Sequence, residues 1–356
     1  MMPAVSVLMP VYNAQDFLAA AMESILQQSF RDFEFLIIDD GSTDDSVAII
    51  QSYQDPRIRL CQNEQNLGIS ATLNKGIDLA RAPYIARMDA DDVAYPDRLQ
   101  KQVTYLKQNP ACAMVSSFVK VIDEQGKFVR QDDFKSEYFY YNLTFICWIY
   151  HPTVMYRREA VQAVNGYTKP YAEDFELFWQ LSRNYRIHTL PELLLDYRVT
   201  SKSLHQVLRK EEYAQAQQEQ IQRNIQYYTR TDKSLPPAFI DCYQYSFLPL
   251  LQEKKVHQIV ACLKTLDGIT QKILETENPN RNSQDIQKAA IYKKRYIVNF
   301  FLKRLAWPQR IYLLLSVFTL KDVVKFYRAQ AIEAKRKKAT PALQKQPHLS
   351  HELSFT

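Results

Sequence analysis

VSVLMPVYNAQDFLAAAMESILQQSFRDFEFLIIDDGSTDDS, residues 5–46, sets two apolar runs on either side of a segment whose apolar residues recur at helical spacing. A short apolar run that does not alternate with polar residues marks a strand buried on both faces. Two such strands joined through a helix are parallel and linked by a right-handed crossover. The second run closes on Gly41, Ser42, Thr43 and Asp44, whose side chains suit the start of a helix over 46–54.

The alternation continues downstream. Residues 58–62, IRLCQ, read as a third strand, 66–82, NLGISATLNKGIDLARA, as a helix, and 84–89, YIARMD, as a fourth strand. Strands alternating with helices specify an α/β chain with a mixed, mostly parallel sheet flanked by helices, whose ligands sit beyond the carboxyl ends of the strands. Those ends carry Tyr12 and Asn13, Asp39 and Asp40, Asn63 and Asn66, then Asp89 and Asp91. Of only six glycines, Gly41, Gly68 and Gly76 fall beside these ends, where backbone turns tightly or approaches a ligand. Neither GxGxxG nor a P-loop is present, which disfavours Rossmann-type and Walker-type nucleotide binding.

Further on, 96–110 read as a helix held between prolines, 112–127 as a strand turning through DEQG, and 152–167 as a strand leading into a helix. Residues 171–184, YAEDFELFWQLSRN, place Glu173 and Asp174 at a helix start, with Leu177, Phe178 and Leu181 on its inner face. From about 205 onward the pattern is helical, broken at 231–237 and 277–285, and the residues from Ala339 read as a loose tail.

With 356 residues and 46% hydrophobic content the chain can build a sizeable core, which excludes a disordered protein. Its five cysteines are odd in number, widely spaced and without CxxC, so neither a disulfide framework nor a zinc site is indicated and a reducing compartment fits. The opening residues do not resemble a signal peptide, and a cytoplasmic location is expected. Residues 138–156 carry no formal charge but include Asn142, His151 and Pro152, so they read as a buried helix followed by a strand rather than a membrane span. Residues 311–320 are too short to span.

Charge is unevenly divided. The first 200 residues carry 19 Lys and Arg against 26 Asp and Glu, the remainder 26 against 13. Between Lys288 and Lys338 there are 14 basic residues and two acids, interleaved with aromatics such as Tyr292, Phe300, Trp307 and Tyr312. Basic amphipathic helices of this kind lie on an anionic membrane surface, peripheral to it; equally, such a pattern describes a helical bundle with a solvated basic face. No recognised nucleic-acid module is present, so nucleic acid is not an expected partner.

Asp89, Asp91 and Asp92 admit three readings. One is a turn and helix cap, with Asp92 or Asp97 at the helix start. Another is a site for a hard divalent cation, which takes oxygen ligands from one or two carboxylates and a substrate's phosphates. The third is a phosphatase of the haloacid dehalogenase type, because DADDV satisfies that family's DxDx(T/V) string. That pattern belongs on the first strand of its fold, whereas three strand-like segments come earlier here.

Taken together and in order, residues 5–46, NLGISATLNKG, YIARMDADD, HPTVMYRR and YAEDFELFWQL closely resemble the family 2 glycosyltransferases, inverting enzymes of the GT-A (nucleotide-diphospho-sugar transferase) fold, over roughly residues 3–200. The resemblance implies a catalytic domain over 1–205, with a nucleotide-sugar-binding half over 1–98 and an acceptor-binding half over 99–205. A basic helical region over 206–338 and a flexible tail over 339–356 follow. It implies that Pro10, Val11 and Tyr12 frame the base, that Asp40 hydrogen-bonds it, and that Asn66, Asn74 and Ala90 join them around the donor. By the same likeness Asp89 reaches the ribose, Asp91 with Asp89 holds Mg²⁺ or Mn²⁺ on the diphosphate, and Asp174 is the general base, with Glu173 its rival.

The implied substrates are a nucleotide-sugar donor, a UDP-sugar being favoured because Asp40 suits the imide N–H of uracil, and a glycan or lipid-linked acceptor, as in cell-surface polysaccharide synthesis. Acceptor choice is expected to lie within residues 130–220. One base suffices for this chemistry. A glycosidase needs two carboxylates, but a nucleoside diphosphate leaves more easily once a metal neutralises its charge. What remains is to deprotonate the acceptor hydroxyl, worth about 10²- to 10⁴-fold. His151 is either part of the acceptor pocket or a satisfied core residue. Many relatives carry a His shortly after the YR motif; here Thr200 stands there, with Arg198, Lys202 and His205 nearby. Two rival functions remain: a phosphatase or phosphotransferase with Asp89 as nucleophile, and a catalytically degenerate scaffold that binds nucleotide.

Overall fold

The computed structural model describes residues 2–134, 136–200 and 209–319. The first apolar run forms β1 (Val5–Val11), followed by α1 (Leu18–Leu26) and β2 (Phe33–Asp39). Both strands are buried along their whole length and pair in parallel from Val5 opposite Phe33 to Val11 opposite Asp39. Helix α1 lays Leu18, Ala21, Met22 and Ile25 against them. Next come α2 (Ser46–Ser52), β3 (Ile58–Gln62), α3 (Ile69–Leu79) and β4 (Tyr84–Arg87). Strand β3 pairs with the outer side of β2, and β4 returns beside β1. These four strands form an unbroken parallel run, in the order β3-β2-β1-β4. Helix α3 lies so close to β1 that a Cβ on Gly76 would overlap the side chain of Leu8.

The remaining elements are β5 (Val93–Ala94), α4 (Arg98–Gln108), β6 (Cys112–Ile122), β7 (Phe128–Asp132), α5 (Phe139–Asn142), β8 (Met155–Arg157), α6 (Arg158–Ala163), α7 (Glu173–Asn184) and β9 (Arg186–Arg198). Beyond β4 the sheet continues β8-β6-β9-β5, with β7 also on β6. Strand β8 is antiparallel to β4 and to β6, β6 and β9 are parallel, and β5 and β7 pair antiparallel with β9 and β6. Strand β9 is not announced by the sequence pattern. Pro191 lacks an N–H for the ladder, and the partners of β6 jump at that point from Leu190 to Leu193. The uncharged stretch 138–156, expected as a buried helix before a strand, instead holds the single turn α5, a 3₁₀ turn over His151–Thr153 and then β8.

One apolar core runs along the sheet through Val7, Met9, Phe35, Ile37, Ala86, Met88, Leu99, Val103, Val115 and Val119. Within it sits Arg98, fully buried, donating to the carbonyls of Arg87 at 2.6 Å and Val154 at 3.4 Å and to Gln102 Oε1 at 3.2 Å. It ties the end of β4 to the turn that carries His151.

The described residues form two compact units. The first draws on residues 2–134, 136–143, 147–200 and 209–220 with Asn278–Asn280, the second on Thr144–Ile146, Ile221–Glu277 and residues 281–319. The second unit is helical, with the end of α8 (Lys210–Thr229), then α9 (Pro237–Tyr243), α10 (Leu248–Gln252), α11 (Val256–Glu275), α12 (Ser283–Leu302) and α13 (Trp307–Val317). Ile259, Leu263 and Leu266 of α11, Ile297 and Phe301 of α12 and Leu313 of α13 are buried in it, and α11 packs on both α12 and α13. Asn282 caps α12 by accepting from the N–H groups of Gln284 and Asp285. Lys293 is buried there: its Nζ donates to the Tyr243 carbonyl at 2.8 Å and lies 4.1 Å from the Tyr245 ring centre, and burial pushes the amine down to about 7. No helix among the described residues is long and apolar enough to cross a membrane. The tail over 339–356 lies outside the described residues, as do Lys202 and His205.

Candidate active site

Because β1, β2 and β4 are parallel neighbours, their carboxyl ends emerge on one edge, and the residues just beyond them share it. Pro10 and Val11 are buried in β1, whereas Tyr12 is half exposed. Asp40 is buried, and its carboxylate accepts from Asn63 Nδ2 at 2.7 Å, Leu67 N at 2.9 Å and Gly68 N at 3.0 Å. It thereby pins the segment 63–68 to the end of β2. Gly41, at φ 75°, lets that segment approach: a Cβ there would stand 2.8 Å from the carbonyl carbon of Gln65. Asn66 is exposed on the pinned segment. Asn74, expected at the donor, has both ends of its amide engaged with the backbone of Tyr167, at 2.8 and 2.9 Å.

The turn after β4 brings Asp89, Asp91 and Asp92 together, with one oxygen of each within 4.8 Å of the others; the intervening Ala90 is buried. Asp89 is paired with Arg87, a guanidinium that is itself buried. Asp92 is fully buried; its Oδ1 accepts from Arg198 N at 2.7 Å, and its Oδ2 has no hydrogen-bond partner. Arg198 also donates through Nε to the Asp91 carbonyl at 2.8 Å. Burial, then the charge of Asp89, raises Asp91 to about 7, and burial with its two neighbours holds Asp92 well above the usual carboxylate range. Three crowded carboxylates, one with a buried unsatisfied oxygen, are the donor set that a hard divalent cation takes.

Asp92 belongs to this group, although its sequence position suggests a turn or helix start. Helix α4 begins later, at Arg98, and no side chain caps it. The only sequence signal for Asp92 is its adjacency to Asp91.

Helix α7 supplies a second pair of carboxylates. Ala172, in the left-handed region at φ 51°, ends the incoming loop so that Glu173 and Asp174 open the helix. Glu173 is buried, with Oε1 3.6 Å from His151 Nδ1 and with Oε2 lacking a partner. His151 Nε2 is 2.7 Å from the Tyr167 hydroxyl, and that hydroxyl is 3.5 Å from the hydroxyl of Tyr156. Burial raises Glu173 to about 7. Burial, then Glu173, raises Asp174 to about 6. Burial, then the Arg87 charge, lowers His151 to about 3, so its imidazole is neutral. Tyr213 of α8 belongs to the same field, its hydroxyl pushed up by burial and then by Glu173, Asp174 and Asp89.

The structure thus brings Asp89, Asp91, Asp174, Glu173 and His151 into one electrostatic neighbourhood organised around Arg87. Arg87, Tyr167 and Tyr213 were not visible as site residues in the sequence. Arg87 looks like an ordinary strand residue, and the tyrosines lie on distant segments.

Comparison with known proteins bears on this geometry. The profile of glycosyl transferase family 2 matches residues 6–164. An uncharacterized glycosyltransferase of Methanocaldococcus jannaschii is 34% identical over 215 residues, covering 56% of this chain and 72% of that protein. An O-antigen biosynthesis glycosyltransferase, WbnJ, of Escherichia coli is 28% identical over 267 residues, covering 73% and 93%. Among solved structures, residues 1–349 of TarS from S. aureus, in complex with UDP-GlcNAc, superpose with a TM-score of 0.51 at 18% identity, over 85% of this chain and 93% of that one.

Proposed function

The chain belongs to glycosyl transferase family 2, and on that premise we propose that it moves a sugar from a nucleoside-diphosphate donor, a UDP-sugar, to a hydroxyl of a glycan or lipid-linked acceptor, with inversion. The reading rests on one observation above the others: carboxylates in two separate chemical settings share a single neighbourhood, three clustered within 4.8 Å after β4 and one, Asp174, at the start of α7 with its acidity shifted to about 6. The TarS complex with UDP-GlcNAc supports the choice of uridine nucleotide, and the O-antigen relative supports a role in polysaccharide assembly.

Asp91 and Asp89, with Asp92 beside them, are the residues that would hold Mg²⁺ or Mn²⁺. When bound, that ion neutralises charge on the departing diphosphate. Asp174, ionised at neutral pH, takes the proton of the acceptor hydroxyl. The acceptor oxygen forms its bond to C1 as the bond from C1 to the diphosphate oxygen breaks on the opposite face, so configuration inverts. Arg87 holds Asp89 in place, and Asn63, Leu67 and Gly68 hold Asp40 at the edge where the base is to lie. A phosphatase with Asp89 as nucleophile fits poorly, since the DADD turn follows the fourth strand of the sheet.

The reading also places the protein on an anionic membrane surface. Trp307, Ile311 and Leu315 stand one turn apart on α13 with exposures of 70, 41 and 59%. Between Asp285 and Thr319 there are six Lys and Arg besides the buried Lys293, and no acid. Exposed aromatic and aliphatic residues among cationic ones suit the headgroup boundary.

The deciding experiment is a panel of nucleotide sugars screened by thermal shift with Mn²⁺, followed by Asp174→Asn. The donor that stabilises the wild type should stabilise the variant equally while transfer disappears; undiminished turnover in the variant refutes the assigned base. Flotation with phosphatidylglycerol vesicles at low salt tests the membrane reading, and a protein that remains in the bottom fraction counts against it.

A further inference from the structure

Behind the carboxylates, within the same unit, four buried side chains stand in a line: Tyr156 of β8, Tyr167, His151, and Glu173 at the start of α7, none more than 7% exposed. The Tyr156 hydroxyl is 3.5 Å from that of Tyr167, the Tyr167 hydroxyl is 2.7 Å from His151 Nε2, and His151 Nδ1 is 3.6 Å from Glu173 Oε1. The line is held from the side. Asn74 clamps the backbone of Tyr167 through both ends of its amide, and the His151 ring meets Phe178 edge-on with ring centres 5.8 Å apart.

A neutral imidazole carries one N–H and one lone pair, and its partners decide which nitrogen has which. Among the described residues the Tyr156 hydroxyl has Tyr167 as its hydrogen-bond partner and no other. Were His151 to donate from Nε2, Tyr167 would pass its own proton to Tyr156, and the Tyr156 proton would be buried without an acceptor, which is costly. In the opposite direction Tyr156 donates to Tyr167, Tyr167 donates to Nε2, and an N–H at Nδ1 faces Glu173, so every proton meets an acceptor. The 2.7 Å separation at Nε2 also suits a hydroxyl donor better than a ring N–H, whose bonds centre on about 2.9 Å. At 3.6 Å the contact with Glu173 is one of charge with dipole rather than a full hydrogen bond. Glu173 has few other supports: Oε2 has no partner, and ionisation is favoured by its own backbone N–H and by the Arg87 charge.

We propose that His151 is a positioning residue for the catalytic end of α7: locked as the Nδ1–H tautomer by Tyr167 and Tyr156, it presents that N–H to Glu173 and keeps this carboxylate ionised beside Asp174. An ionised neighbour makes Asp174 the stronger base. The inference deepens the proposed function and rests on it for the role of Asp174, whereas the tautomer stands on the geometry alone. Other groups face the two carboxylates as well: Arg87 and Asp89 at the end of β4, Cys147, Tyr167, and Tyr213 of α8. They stay in place when position 151 alone is changed.

The test is NMR on the full chain. With all six histidines labelled with ¹⁵N, His151 is assigned by the signals lost in His151→Asn. It should show a protonated Nδ1 and a bare Nε2 at neutral pH; a protonated Nε2 or a charged ring overturns the inference. Two variants then separate the contacts of the ring. The amide nitrogen of Asn stands where Nδ1 stood and faces Glu173, and that of Gln stands where Nε2 stood and reaches Tyr167. Carboxyl ¹³C titration of the wild type should give two midpoints for the Glu173–Asp174 pair, about 7 and about 6. His151→Gln should spread them by about one pH unit, the worth of one hydrogen bond, with the upper rising and the lower falling. His151→Asn should leave them near the wild-type values. A ring that merely anchors Tyr167 makes Gln the milder change and moves neither midpoint, so equal midpoints in His151→Gln and the wild type overturn the inference. Both variants should keep the Mn²⁺-dependent UDP binding of the wild type, which shows that they fold. A wild type that binds no UDP overturns the reading that gives Asp174 its role, and leaves the tautomer result standing by itself.

Discussion

At Asp174 the physics of a single side chain sets the pH dependence of the whole reaction. Burial and the neighbouring Glu173 raise its acidity constant to about 6, and transfer needs the ionised form. The rate should therefore climb with pH through about 6 and level off above 7, a profile measurable with any donor that binds. Glu173→Gln removes the second cause of the shift, so the acid limb should move to lower pH; an unmoved limb would mean the two carboxylates do not sense one another. Glu173 itself carries a stability cost of definite sign. Its folded acidity constant, about 7, lies above its ordinary value of 4.5, so the folded state binds more protons than the unfolded one between those values. Stability should fall as pH rises across that window, and urea midpoints for Glu173→Gln should vary less there than those of the wild type.

At the scale of the element, the contact of α3 with β1 depends on a helical glycine. Alanine at position 76 would gain about 1 kcal/mol of helix propensity. Its methyl group would collide with the fully buried Leu8, and overpacking costs about 1–3 kcal/mol. Gly76→Ala should thus leave stability unchanged or reduce it, read as a lower urea midpoint at constant slope, where propensity alone calls for an increase. Arg98 is the second element-scale feature. Arg98→Met strips the Arg87 carbonyl of a 2.6 Å bond and Gln102 Oε1 of the Arg98 donor, and each buried polar group left unpaired costs about 1–3 kcal/mol. The variant should unfold at lower urea. Its Mn²⁺-dependent nucleotide binding should weaken as well, because the turn carrying Asp89, Asp91 and Asp92 springs from Arg87.

The elements that the sequence announces are those whose order follows from local pattern: β1 to β4 and their helices, α4, and the acidic start of α7. Strand β9 was hidden by Pro191, and the placement of β8 between β4 and β6 is a long-range pairing that no local pattern contains. The site divides in the same way. The grouping of Asp89 with Asp91 and the position of Asp174 at a helix start were readable from residue type and motif. The burial of Asp92 against the Arg198 N–H, the clamp of Asn74 on Tyr167 and the central position of Arg87 arise only when distant segments fold against each other.

Across the whole molecule, Glu173 in the first unit and Lys293 in the helical unit make stability depend on pH in opposite senses. Lys293 in the helical unit titrates near 7 when folded and near 10.5 when unfolded. Over that window the unfolded chain binds more protons, so this lysine makes stability rise with pH. Lys293→Met should be more stable than the wild type at pH 6, where the buried charge carries its full penalty, and the difference should shrink toward pH 10. A variant less stable at every pH would show that the Tyr243 carbonyl and the Tyr245 ring compensate the charge completely.

Asp40 has a thermodynamic consequence as well. With its carboxylate already closed on Asn63, Leu67 and Gly68, the segment 63–68 holds its shape before any donor arrives. The conformational entropy of ordering that segment is thus lost during folding, not on association. Donor binding should accordingly show a small heat-capacity change, without the large negative value that accompanies a loop folding around its ligand.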